Sequence, residues 1–254
     1  MNKKGQVSVF VIIGVILVIL VALWFVGTKE FGLLVPSVKF LGDKIQPLEK
    51  NIKDCVEKSV PYVETIIKQG GDTNPNRYVT YQNRKVKYLC YNIKNNDKCI
   101  NMMLPFDVVL ENINNKLDND IKNCINKDLF KSTLAYDVQI KGEPKTKTTV
   151  EGDKLKISVN YNVKLIKGEI TQPLDKVEKI IDLPLKGLYD TTLDVVNEWA
   201  GNGFFDQLLY MLSKKGTYEI QVDKSPSLGN IGDIIYKINK KDNSYQFWFA
   251  VEGD

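Results

Sequence analysis

The sequence predicts an α+β ectodomain, made of amphipathic helices, β-hairpins and C-terminal antiparallel strands, on a single N-terminal transmembrane helix. Three observations lead there. Residues 7–26 form an uncharged apolar run, the remaining chain switches between helical and strand periodicity, and all four cysteines lie beyond the run.

A helix of about 20 residues at 1.5 Å rise covers the roughly 30 Å hydrocarbon core and satisfies its own backbone polar groups. A cleavable secretory peptide has a shorter apolar region followed by small residues. Here Ala22-Leu23-Trp24-Phe25 is bulky, which predicts an uncleaved anchor. Lys3 and Lys4 precede the run, while Lys29 and Glu30 nearly cancel after it. The positive-inside rule then places residues 1–6 in the cytoplasm and residues 29–254 outside a single-pass cell membrane. Gly27, Gly32, Pro36 and Gly42 mark residues 27–43 as a stalk.

From Gln46 the stripe Leu48, Ile52, Cys55/Val56, Ser59/Val60, Val63, Ile66/Ile67 has helical spacing. Pro47 suits a first turn, Pro61 should kink or interrupt the helix, and Gly70-Gly71 should stop it. Residues 77–82 and 85–93 alternate as strands, Asn95-Asn96-Asp97 reads as a turn, and residues 99–104 return. A second helix begins near Pro105 with the stripe Phe106, Val109/Leu110, Ile113, Leu117, Ile121, Cys124/Ile125. After Thr133 the period changes. Residues 134–141 and 154–165 alternate, with Glu151-Gly152-Asp153 as a hairpin turn, and residues 180–185 are a further strand candidate. Leu188, Thr192, Val195/Val196 and Trp199 share a helical face ended by Gly201 and Gly203, and residues 204–214 form a shorter helix. Residues 217–222, 234–238 and 245–251 close the chain as strands. The division is a helical, cysteine-bearing membrane-proximal part at 44–133 and an α+β distal part at 134–254.

Four cysteines on the predicted outer side invite disulfides. Cys90 and Cys99 lie on strands joined by a short loop, and Cys55 and Cys124 sit on the apolar stripes of two helices. Face-to-face packing of those helices pairs Cys55 with Cys124 and leaves Cys90 for Cys99. Four unpaired buried thiols are the alternative. A zinc site is disfavoured by the lack of CxxC and of histidine.

The chain carries 35 basic and 31 acidic residues, a net charge of +4, which gives no electrostatic reason to expect nucleic acid as a partner. With no histidine, Ser-His-Asp and Cys-His catalysis and His-ligated metals are unavailable. No phosphate-binding loop, dinucleotide fingerprint or nucleophile elbow is present. No catalytic residue, cofactor site or metal site is therefore assigned, and the protein is read as not an enzyme. Asp118 with Asp120, and Asp190 with Asp194, are the acid pairs that could be proposed, but polar faces of amphipathic helices are the preferred account of them. Asp72, Asp233 and Asp242 fall at turns. Tyr245, Phe247 and Phe249 share one face of the last strand and Trp248 the other, a candidate aromatic contact patch beside the reading of core packing. Tyr78, Tyr81, Tyr88 and Tyr91 carry the same ambiguity.

Lys4-Gly5-Gln6 directly before an apolar helix resembles the class III leader of archaeal pilins and flagellins. The resemblance implies cleavage after Gly5, a mature chain starting at Gln6, and packing of the helix in a filament core. Those proteins often carry Glu at the fifth mature position, where this chain has Phe10. The larger part of the chain is similar to a group of uncharacterised single-pass surface proteins of small-genome archaea. The likeness rests on the Lys-Lys-Gly-Gln start, Gln46-Pro47 followed by Cys55, Gly70-Gly71, Tyr88 to Tyr91, Cys99, Cys124 and Phe249-Ala250-Val251. It implies architecture and location. The expected function is a structural or contact role at the archaeal cell surface. The alternatives are a type IV pilin-like subunit and an ectodomain that binds or modifies the cell wall. Expected partners are the lipid bilayer or copies of the N-terminal helix, with other surface proteins or glycans also open.

Overall fold

The structure is a computed structural model. It describes residues 6–92, 98–125, 137–167, 170–174, 176–224 and 232–253, with the backbone alone at 6–12, 22–44, 167 and 170. The predicted turn at Asn95-Asn96-Asp97 and the predicted boundary at 133/134 lie outside these residues.

The fold is α+β. Helix α1 (Gln6–Ile67) runs into β1 (Tyr78–Tyr81), β2 (Arg84–Tyr91) and β3 (Ile100–Asn101). Helix α2 (Phe106–Cys124) precedes β4 (Asp137–Glu151), β5 (Lys154–Lys167), β6 (Ile170–Pro173) and β7 (Val177–Ile181). Helices α3 (Leu185–Asn202) and α4 (Gln207–Ser213) follow, then β8 (Tyr218–Lys224), β9 (Ile234–Lys240) and β10 (Gln246–Val251).

Two sheets result. In the first the order is β1-β2-β10-β9-β8, with β3 beside the end of β2. Its β2–β10 pairing is parallel and its other pairings are antiparallel, so chain segments far apart in sequence share one sheet. In the second, β5 pairs with β4 along one edge, while β7 and β6 occupy successive stretches of the other. The β4–β5 hairpin turns through Gly152-Asp153, with Gly152 at φ 61°. A left-handed backbone there suits glycine, as the sequence predicts.

One continuous core fills the space between helices and sheets. Helix α1 contributes Ile52, Val56, Val63 and Ile67, and α2 contributes Val109, Ile113, Leu117 and Ile121. Leu155, Ile157, Val195, Val196, Phe247 and Phe249 complete its centre. β10 lies between β2 and β9 and is covered on both faces, so Phe247 to Val251 are all buried. Such a strand reads as a continuous apolar run rather than an alternating one.

Two expectations are corrected at the N-terminus. Among the described residues no helix is long and apolar enough to cross a membrane. This overturns the transmembrane helix at 7–26, and with it the single-pass location with a cytoplasmic N-terminus and residues 29–254 outside. The helix also does not give way to a stalk. Residues 27–43 continue the same helix, which passes through Pro36, Pro47 and Pro61 to Ile67. Pro61 lies on the exposed side of the helix, where the hydrogen bond it cannot donate to the Glu57 carbonyl costs least to lose.

Candidate functional site

Helix α1 plays two physical roles along one axis. Its C-terminal part is core, with Ile52 and Ile67 fully buried. Its described apolar segment, residues 13–21, is bare. From Ile13 to Val21 every large side chain leaves between 49% and 69% of its surface in water. Successive residues on a helix point about 100° apart, so nine in a row sample every direction. No described part of the chain therefore covers this segment. A Cβ on Gly14 would meet nothing within 4 Å.

The base of this helix is fixed covalently. Cys55 on α1 is bonded to Cys124 at the end of α2, with Cα atoms 5.6 Å apart, and Cys90 on β2 is bonded to Cys99, with Cα atoms 5.2 Å apart. Both separations lie in the range a disulfide spans, about 4.4–6.8 Å. The pairing is the one read from the helix stripes and the hairpin. It occurs because Cys55 and Cys124 lie on the stripes through which α1 and α2 meet.

The last strand does not present its aromatic residues as a patch. Phe247 and Phe249 are fully buried, and Phe249 stacks on Tyr236 with ring centroids 5.1 Å apart. Tyr245 is half-buried against the core. Trp248 points to the opposite face, as the strand period requires, and packs there with Val86, Ile235 and Ala250. It is 5% exposed, beneath Tyr81 and between the ammonium groups of Lys68 and Lys237, 5.0 and 5.3 Å from its ring. Burial opposes the charge on Lys237, but its hydrogen bonds to the Asp223 carboxylate and the Tyr81 hydroxyl outweigh it and raise its pKa. Hydrogen bonds from Lys237 first, and then from the Tyr81 hydroxyl, lower the pKa of Asp223. Tyr88 donates to Asp233 at 2.7 Å, and burial followed by this carboxylate pushes its phenol above the usual range. These groups tie the outer face of the first sheet together.

The acid pairs do not converge. Asp118 and Asp120 are two apart on α2, a spacing that turns side chains to different sides of a helix. Asp118 accepts the Thr146 amide, and Asp120 accepts from Lys116 at 2.9 Å. Asp190 is held by Lys186, and Asp194 accepts from the Tyr210 hydroxyl at 2.7 Å and pairs with Lys214. Asp72 accepts the Asn74 amide in a turn, and Asp242 has φ 64°, both backbone roles. Lys3, Lys4 and Gly5 lie outside the described residues, and Gln6 opens α1.

Two groups of residues escape the sequence reading. Asn114 and Asp118 serve β4 from α2; their i, i+4 spacing beside the apolar stripe is the available signal. Phe204, Leu208, Leu209 and Leu212 read as an ordinary helical segment, yet they stay in water. Compared with known proteins, the chain matches no protein-family model, no curated protein and no solved structure.

Proposed function

We propose that the protein is a non-enzymatic structural subunit that assembles through its N-terminal helix, in the manner of a pilin-like filament subunit. The observation that carries this reading is the continuity of α1. One helix is core at Ile52 to Ile67 and bare, uncharged and apolar at Ile13 to Val21. A segment exposed in every direction needs neighbours on every side, which copies of the same helix supply. Covering the exposed half of each such side chain is worth about 1 kcal/mol. Summed over the segment, that offsets an association cost of about 4–15 kcal/mol once several copies contribute. The disulfide between α1 and α2 supports the reading mechanically, since load on the helix passes covalently into the body. A non-enzymatic role is supported by the carboxylates, which are spent on separate lysines, amides and a tyrosine.

Sedimentation velocity and negative-stain imaging of the full chain test this. The wild type should form elongated particles. Val18→Lys, at the most exposed position of the segment, should keep both disulfides and the circular dichroism of the body while weakening assembly at least about tenfold. A wild type that stays monomeric, or a V18K chain that assembles as well as the wild type, would overturn the proposal.

A further inference from the structure

The outer face of the second sheet carries a charge that the fold does not neutralise. Along β5 the inward residues Tyr161, Val163 and Leu165 are buried, while Asn160, Asn162 and Lys164 between them are exposed. No described element covers that side. The register puts Lys145 opposite Asn160, Lys141 opposite Asn162 and Gln139 opposite Lys164. Lys147 stands one step further along β4, opposite Ser158. Two residues of strand rise about 6.6 Å, so the four lysines lie within about 20 Å of strand on one side of the sheet.

Opposite charges facing each other across a ladder stabilise a sheet, yet each of these lysines faces an amide or a hydroxyl. Among the described residues, Lys141, Lys147 and Lys164 pair with no carboxylate, and the side chains of Gln139, Asn160 and Asn162 make no hydrogen bond. Lys145 reaches Asp118 at 3.3 Å but is 73% exposed, a pair that water screens. The acids on this face are Glu178, held between Lys156 and Lys176, and Asp137 at the far end. Glu143, in the bulge between Lys141 and Lys145, is paired with Lys122 of α2. Lysines on an edge strand guard it against pairing with another sheet. That accounts for those of β4 but not for Lys164, because β5 is paired there on both sides, with Gln139 and with Pro173.

We propose that this face binds a linear acidic polysaccharide. Lys141, Lys145, Lys147 and Lys164 meet its carboxylates, and Gln139, Asn160 and Asn162 meet its hydroxyls, to which an amide side chain can both donate and accept. A lysine ammonium is a compact point charge that suits single carboxylates, whereas phosphate recognition favours the arginine fork. The two arginines, Arg77 and Arg84, lie at the first sheet. Single-stranded nucleic acid is held by aromatic platforms on which its bases stack, and no aromatic residue stands among the outward positions of β4 and β5. The contact needs a single copy of the chain and is independent of assembly through α1.

Biolayer interferometry of the full chain on immobilised alginate, a linear polyuronate, tests this at low salt. The wild type should bind alginate and ignore dextran, a neutral polymer. Lys147→Gln combined with Lys164→Gln should weaken binding at least about tenfold while keeping the unfolding midpoint. Lys50→Gln combined with Lys58→Gln removes the same charge from exposed positions on α1 and should change binding by less than about twofold. Asn160→Ala combined with Asn162→Ala keeps the charge and should lose about fivefold through the missing hydrogen bonds. Equal losses in the two lysine pairs would mean that net charge alone attracts the polymer, and would overturn the site. No binding to alginate, polyphosphate or an oligonucleotide bound as tightly as alginate, or an N160A/N162A chain that binds like the wild type would overturn the polysaccharide as its ligand.

Discussion

Asp118 on α2 accepts the backbone amide of Thr146 on β4, and Asn114, one turn earlier, accepts that of Thr148 at 2.8 Å. Four residues of helix rise about 6 Å and two residues of strand about 6.6 Å, so the two spacings match. An i, i+4 pair on the helix thereby meets successive outward amides of the strand edge. The helix supplies acceptors where a neighbouring strand would otherwise sit, which protects this stretch of β4 from edge-to-edge pairing. Replacing Asp118 with Ala leaves the Thr146 amide unpaired and should cost about 1–2 kcal/mol, read as a lower urea midpoint. Asp118→Asn keeps an acceptor and should lose less. The Lys145 partner of Asp118 is too exposed to account for the difference. Equal losses in the two variants would exclude the amide as the cause.

The disulfides should contribute unequally. Cys55 and Cys124 are 69 residues apart and Cys90 and Cys99 are 9 apart. Restricting the unfolded chain is worth about 4 kcal/mol for the longer loop and about 3 kcal/mol for the shorter, as upper values. Paired serine substitutions, C55S/C124S and C90S/C99S, compared by denaturant unfolding at neutral pH, should follow that order. The reverse order would mean that native-state packing around Cys90, fully buried on β2, outweighs loop closure.

Acid should weaken the β5–β7 pairing through Glu178. Lys156 first, then Lys176, each 2.8 Å away, hold its carboxyl down at about 2 against an ordinary 4.5. A carboxylate lowered in the folded state stabilises fully above its unfolded pKa and loses that contribution as pH falls through the folded one. The window is therefore about pH 4.5 down to about 2. Stability measured across it should fall with a slope that Glu178→Gln flattens. An unchanged slope in E178Q would assign the acid sensitivity elsewhere, Asp223 beside Lys237 being the next carboxylate held low.

The apolar stripes of α1 and α2 were legible because burial on one side of a helix imposes a 3–4 spacing, and that spacing also located Cys55 and Cys124 on facing surfaces. The Glu151-Gly152-Asp153 hairpin was legible from local turn chemistry. The length of α1 was not. Pro36, Pro47 and Pro61 each argue locally for a break, and only the finished helix shows that the break is not taken. The parallel β2–β10 pairing left no signal either, because it joins residues remote in sequence and depends on both faces of β10 being covered. The aromatic run 245–249 could be split by face from its period, but whether a face meets core or water is decided by α1, α3 and the neighbouring strands. The outward leucines of α4 were hidden for the same reason, since a periodic pattern does not reveal which side of a helix is left uncovered.

Gly70 and Gly71 end α1, and the structure gives each two reasons to be glycine. Their φ angles are 72° and 80°, and the Gly71 amide donates back to the Ile66 carbonyl at 3.0 Å, closing the helix. A Cβ on Gly71 would lie 2.8 Å from Val109 Cγ2, and one on Gly70 2.9 Å from Lys87 Cβ. The turn is pressed between α2 and β2, and the Gly71 carbonyl accepts from Asn112 on α2 at 2.9 Å. Gly71→Ala combines a left-handed backbone with a clash against a fully packed valine, and should cost about 1–3 kcal/mol for the conformation alone. Shortening the obstacle in G71A/V109A relieves the clash and leaves the conformational cost. The double variant should therefore lose less than the sum of the two single substitutions, which a double-mutant cycle of unfolding free energies measures. Strict additivity would mean that the contact between Gly71 and Val109 is not what makes glycine necessary there.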